Sequence, residues 1–297
     1  MVTPVAPSLG GLGSLVRAPD AGVRARATTR LRSTVGTRAG RLGEVAAWWA
    51  GVHADERAPA PLRALHLGAE PQWPLLPATA ARVDTLPLPR RPADPQLDAT
   101  DPAPGALLDV ALRWAVTQVD AAVDSGVELL LLSVPGTLPA AVAAAALLRM
   151  DPVDAVGRPS RSGLDDATWT AQVAGLRDGL VRARTVRHDV GELLLAIGDL
   201  PLAAATAALL VAAGRRTPAI LDGPGAGAAG LLAREVAETA SGWWLAAQGS
   251  TQPLHTRILA NLRLEPLHQF DLRIEDGTGA RLGLAVLEGS ALLLQDR

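Results

Sequence analysis

The sequence predicts an α/β fold, a mostly parallel sheet with helices on its faces, and three observations carry that prediction. An apolar run from 127 to 134 has the length and composition of a strand buried on both faces. Beyond it, strand-length and helix-length segments alternate regularly. The chain has 297 residues, of which 48% are hydrophobic, enough to bury a large core.

In order along the chain, residues 1–13 are rich in Gly and Pro and read as a loose arm, and 14–32 read as an Arg-rich surface helix. Residues 40–53 place Leu42, Val45, Trp48 and Trp49 at the i, i+3, i+7 spacing of a buried helix face, so the tryptophans belong to the core and not to a binding platform. From 54 to 105 short extended runs, 62–68 and 81–88, alternate with connections around Pro71, Pro74, Pro92, Pro102 and Pro104. A helix over 106–124 leads into the strand at 127–134. Helices then follow at 139–150 and 165–185, a strand-like stretch at 193–198, a helix at 201–213, a strand at 218–222, a helix at 225–240, a strand at 242–247 and a helix at 253–262. The Ala runs at 140–146 and 203–208 are tightly packed helices. In such a fold ligands bind outside the carboxyl ends of the strands, which singles out the loops after 134, 198, 222 and 247.

Composition removes several function classes. Net charge is −2, and every basic residue is Arg, spread along the chain without a stripe, so nucleic acid is not an expected partner. No cysteine is present, which removes disulfides, thiolate metal sites and Cys nucleophiles and fits a reducing cytoplasm. Gly10, Gly11 and Gly13 interrupt any signal-like start, and the most apolar stretches, 127–134 and 201–213, fall short of the about 20 residues that a bilayer span needs. A cytoplasmic protein without a membrane partner is the expectation. His255 and His268 lack ligand neighbours at metal spacing, so no metal site is expected.

The segment richest in chemistry is LRIEDGTGA, residues 272–280, where Glu275 and Asp276 precede Gly277, Thr278 and Gly279. Glycines let backbone amides approach a ligand, and a helix opening at Ala280 would aim amides at an anion such as phosphate. The plainer alternative is a surface turn with Thr278 as helix cap. Asp222 before Gly223 reads equally well as a strand-end turn residue, and Thr137 reads as a helix cap.

Four collinear stretches resemble the nicotinate-nucleotide:dimethylbenzimidazole phosphoribosyltransferase family of cobalamin assembly. The family's Ser-Ala-Glu, Pro-Gly-His, Leu-Gly-Leu-Glu-Pro and Gly-Glu-Gly-Thr-Gly-Ala pattern is matched by Ser250, Thr251 and Gln252, by Pro253, Leu254 and His255, by 262–266 and by 275–280. TPAILDG at 217–223 resembles its strand ending in Leu-Asp-Gly. GTRAGRLGEVAAWWAG at 36–51 resembles its N-terminal Gly-Ser-Leu-Gly-Arg-Leu-Glu segment. Thr137 and DPVDAVG at 151–157 resemble its Thr-Thr-Pro helix and Asp-Pro turn.

The resemblance implies a Rossmann-like sheet with a smaller helical portion from the terminal segments: 1–53 as the N-terminal arm and helices, 54–270 as the α/β domain, and 271–297 as active-site loop and final helix. It also implies a homodimer, small-molecule substrates and no cofactor. The implied reaction moves phosphoribosyl from nicotinate mononucleotide to 5,6-dimethylbenzimidazole, giving α-ribazole 5'-phosphate and nicotinate. The departing nicotinate needs no acid, whereas the attacking base must lose a proton, so a carboxylate is the essential side chain. By position that base is Asp276, with Glu275 as substitute, and Gly277, Thr278, Gly279, Ser250, Asp222, Gly136 and Thr137 are the expected substrate contacts. The chain departs from the pattern after the central strand, where Ser133 to Leu138 replace a loop bearing Glu and Asn, and at Gln252, which replaces an acid. The family's Ala-Asp-His-Gly-Val strand end is expected to have no counterpart between Ala54 and Pro89. A relative that binds nucleotide, base or partner without turnover, and regulates cobalamin synthesis, is the alternative function; a transferase with a different acceptor base is another.

Overall fold

The computed structural model describes residues 7–55, 61–71, 80–90, 104–159, 164–272 and 274–295; the connections expected around Pro74, Pro92 and Pro102 lie outside them. Three N-terminal helices come first, α1 (Leu9–Leu15), α2 (Ala21–Thr34) and α3 (Gly40–His53), then strands β1 (Arg63–Leu67) and β2 (Arg82–Leu86). Helix α4 (Pro104–Asp124), strand β3 (Leu129–Ser133), α5 (Leu138–Leu148), the short α6 (Pro152–Val156), α7 (Asp166–Ala183), α8 (Val190–Ile197) and α9 (Leu200–Gly214) make the middle of the chain. It ends with β4 (Ala219–Asp222), α10 (Gly223–Val236), β5 (Trp244–Gln248), α11 (Pro253–Leu262), β6 (Pro266–His268) and α12 (Thr278–Ala291).

The six strands form one sheet in the order β2-β1-β3-β4-β5-β6, and each pairing is parallel. The order reverses between β1 and β3, which places the crevice for a ligand at the carboxyl ends of the central strands. β3, β4 and β5 are buried at every residue, as their apolar composition requires of strands covered on both faces. The edge strand β2 is more open and carries Arg82 and Asp84, charges that discourage pairing with another sheet edge.

Side chains alternate across a strand, so Ile220 and Leu221 mark opposite faces of the sheet. A Cβ at Gly283 of α12 would lie 3.5 Å from Ile220, and one at Gly230 of α10 would lie 3.1 Å from Leu221, so α10 and α12 cover opposite faces. Beyond α12 packs α3, and α2 packs on α3. Helix α9 is enclosed by α4, α10 and α1, and its Ala-rich surface is buried on all sides. Trp48 and Trp49 are buried, and the Trp48 indole donates to the Gly242 carbonyl at 2.9 Å, which satisfies its one polar atom.

Several elements differ from the sequence reading. Residues 9–13 of the expected arm, together with Ser14 and Leu15, form a helix capped by Ser8, whose hydroxyl accepts from Gly11. The helix expected from 14 starts instead at Ala21, because Pro19 interrupts the chain and Asp20 supplies the cap. Leu42 is exposed, at 44%, instead of facing the core with Val45. The stretch 193–198 is the second half of α8 and not a strand. Its Asp189 cap and the left-handed Gly198 (φ 69°) bound a helix that a short apolar run cannot reveal by periodicity. The expected helix 225–240 ends at Val236, followed by a 3-10 turn.

Candidate functional site

Loops from the carboxyl ends of three strands meet around a cleft of about 330 Å³. Gly136 comes from the loop after β3, Ser250, Thr251 and Gln252 from the loop after β5, and Asp271, Leu272 and Glu275 from the loop after β6. The opposite wall is largely apolar, with Ala155 and Gly157 at the end of α6 and Leu176 of α7, and Gln172 of α7 adds one carboxamide. Gly157 is held there by the Trp169 indole, which donates to its carbonyl at 2.7 Å.

The acidic turn divides its two carboxylates between opposite sides. Gly277 sits at φ 92°, in the left-handed region, and turns the chain into α12. Asp276 is buried at 7% exposure, and its Oδ1 accepts from the Thr278 amide at 2.9 Å, so it serves the start of the helix. Glu275 points the other way, borders the cleft and accepts a hydrogen bond from the Gly136 amide. A Cβ at Gly136 would stand 2.6 Å from both Glu275 oxygens, so only glycine admits that approach. Burial raises the Glu275 pKa; the Gly136 amide opposes the rise and nearby Asp222 adds to it.

Beneath the turn lies a sealed polar interior. Asp222, at the end of β4, is fully buried and accepts from the Gln248 amide at 2.8 Å. Desolvation lifts its pKa to about 6, against the pull of the Gln248 hydrogen bond and of the Ala280 and Gly279 amides. His66 of β1 is fully buried, with its Nε2 2.7 Å from the Ser133 hydroxyl. Desolvation first, then the Arg281 charge, lowers its pKa to about 4, while Asp276 opposes. A Cβ on Gly277 would collide with His66 Cε1, and one on Gly279 with Asp222 Oδ1, so both glycines of the turn rest directly on this interior. Thr278 is buried between them.

Of the residues expected at the site, Glu275, Gly136 and Ser250 line the cleft; Asp276, Asp222, Gly277, Thr278 and Gly279 form the layer beneath it. Ser250 is also 2.8 Å from His255 Nδ1, a buried histidine with its pKa lowered by desolvation to about 4. Thr137 caps α5, accepting from Ala140 at 3.3 Å and donating to Asp199 at 3.1 Å. Gly277, not Thr278, is the cap residue of α12. His66 and Gln248 escaped sequence reasoning. His66 follows Ala64 and Leu65 in RALHL and Gln248 closes the apolar run of WLAAQ, and a polar residue beside buried apolar ones was the available signal. Ala64-Leu65-His66 of β1 lies in the stretch where the family's strand-end motif was expected to have no counterpart, and it places one fully buried histidine there. Among the described residues no group of three or more His, Cys, Asp or Glu could hold a metal ion, and no helix is long and apolar enough to cross a membrane.

Comparison with known proteins shows what the chain is similar to. Residues 105–297 match the family described as phosphoribosyltransferase. The chain is 39% identical over 188 residues to the nicotinate-nucleotide-dimethylbenzimidazole phosphoribosyltransferase of Streptomyces avermitilis, covering 62% of this chain and 50% of that one. It is 41% identical over 178 residues to the protein of the same name from Mycobacterium ulcerans, covering 59% and 49%. The match thus spans about half the length of these curated relatives. In fold, the chain is similar to the crystal structure of the enzyme of that name from Thermus thermophilus, with a TM-score of 0.74, 23% identity, and coverage of 93% of this chain and 96% of that one.

Proposed function

The chain belongs to the nicotinate-nucleotide:dimethylbenzimidazole phosphoribosyltransferase family, and from that premise we propose that it transfers phosphoribosyl from nicotinate mononucleotide to 5,6-dimethylbenzimidazole or a related base, with Glu275 as proton acceptor. The observation that carries this reading is Glu275 itself, a half-buried carboxylate on the cleft wall with a raised pKa. A base whose pKa moves toward the working pH accepts a proton more effectively in the transition state.

In the proposed step a ring nitrogen of the acceptor bonds to C1' of the ribose. The bond from C1' to the pyridinium nitrogen breaks, and its electron pair returns to that nitrogen, removes its positive charge and releases nicotinate. The proton of the acceptor N–H passes to Glu275. The Gly136 amide holds the carboxylate in place, and the apolar wall around Ala155 and Leu176 suits a flat aromatic base. The setting is cobalamin nucleotide-loop assembly, in the cytoplasm and as a homodimer, which size-exclusion chromatography with light scattering tests directly. The reaction is tested by incubating purified protein with nicotinate mononucleotide and dimethylbenzimidazole and following nicotinate by chromatography. Absence of nicotinate at micromolar protein rejects the transferase reading.

One observation favours a second reading, a relative that binds without turnover. Among the described residues lining the cleft none is Arg, so among them a substrate phosphate meets only neutral donors, backbone amides and the side chains of Ser250, Thr251, Gln252 and Gln172. Calorimetry separates the two: heat of binding for nucleotide or base with no product supports the second.

A further inference from the structure

At the end of α5 and α7 remote from the cleft, a second recess gathers charge without a counter-charge. The two helices run side by side: a Cβ at Gly175 would touch Leu138 and one at Gly179 would touch Val142, so successive turns meet in the same direction. Both helices border the cleft, through Ala141 and Leu176, and both end at a recess of about 200 Å³ lined by Arg149, Arg184, Arg187 and Met150. None of the three arginines has an acidic partner among the described residues, and the Arg187 Nε is buried with no hydrogen-bond partner.

Arginines near helix C-termini ordinarily answer the exposed carbonyls there. Here main-chain amides already occupy three of them, Met150 N–H bonding the Ala145 carbonyl, Arg149 N–H that of Ala146, and Arg187 N–H that of Ala183. Among the described residues no hydrogen bond runs from these guanidinium groups to the others. The guanidinium donors are therefore left for something else. Three like charges around one recess repel each other, and an anion seated among them reverses the sign of that interaction. Guanidinium forks match the oxygen geometry of phosphate.

We propose that this recess binds a small phosphate-class anion bearing at least two negative charges, at a site separate from the cleft. Bound there, the anion ties together the far ends of two helices whose near portions form the cleft wall.

Calorimetric titration with inorganic pyrophosphate, and separately with inorganic phosphate, at physiological ionic strength tests the proposal; whichever binds more tightly names the source. We expect saturable binding of one anion per chain, weakened at least tenfold by Arg184→Gln combined with Arg187→Gln. Arg113→Gln, which removes one charge from the exposed Arg113–Asp109 pair on α4, should leave binding unchanged. Because Arg184 is exposed, Arg184→Gln alone keeps the fold and must also weaken binding, with circular dichroism as the check. No saturable heat from either anion, binding that survives the double variant, or equal weakening by Arg113→Gln would overturn the proposal.

Discussion

Two regions separated by one peptide bond use the same functional group for opposite ends. On the cleft side Glu275 is reachable by a ligand and has the Gly136 amide as its partner. On the interior side Asp276 and Asp222 are buried, and their oxygens accept from Thr278 and Gln248 to hold the start of α12 on the sheet. Direction, more than residue type, separates the carboxylate proposed to accept a proton from the one that supports the turn. Gly277 sets that direction by turning the chain through the left-handed region against His66.

The sharpest way to break this comparison is to neutralise each acid in turn. Glu275→Gln should lower the rate of nicotinate release by about 10²- to 10⁴-fold, the usual contribution of a general base, with the unfolding midpoint nearly unchanged. An equal loss of rate in Asp276→Asn, at unchanged stability, would show that the roles are reversed. Gly277→Ala comes next: it combines the cost of a left-handed alanine with a collision against buried His66. We expect about 3 kcal/mol of destabilisation by urea unfolding.

The interior also predicts how stability follows pH. His53, His66 and His255 have folded-state pKa values of about 4, below the ordinary histidine value of 6.5, chiefly through desolvation. The unfolded chain therefore binds protons first as pH falls below 6.5, and stability is lost. Asp222, raised to about 6, works in the opposite direction, since its folded form binds the proton more tightly. Glu275 and Glu288, also raised, act with Asp222, and His268, also lowered, acts with the other histidines. The three large histidine shifts prevail, so stability should fall by about 1–2 kcal/mol between pH 6.5 and 5.5, measured by denaturant unfolding at both values. A flat or rising profile would mean that the histidines are not sealed. The smallest effect belongs to Asp276→Ala, which removes one acceptor at the start of α12 and should cost about 1 kcal/mol by thermal unfolding while leaving Glu275 in place.

Much of the fold is legible in the chain. The helix 253–262 stands at the limits its sequence suggests, because Pro253 opens it at a position where its missing N–H costs nothing, and the central strand announces itself by apolar residues too continuous for a one-sided sheet. Misreadings arise where a local signal is ambiguous: 193–198 is apolar enough for either a strand or a buried helix, and the caps at Asp189 and Gly198 decide it. At the site, the acidic turn and its glycines stand out as a string of residues. Their division between cleft and interior does not, since it depends on Gly136, Asp222, Gln248 and His66, which approach from four other segments of the chain.

The sequence by itself determined the parallel α/β architecture, the kinship of the chain and the segment that bears its acids, because periodicity, caps and short motifs are local and survive without neighbours. Only the tertiary structure decided which carboxylate faces the cleft, which histidines are sealed, and that three arginines just past the ends of two helices share one recess. Burial and orientation are properties of packing between distant segments, and desolvation, the force that shifts these pKa values, has no counterpart in the linear chain.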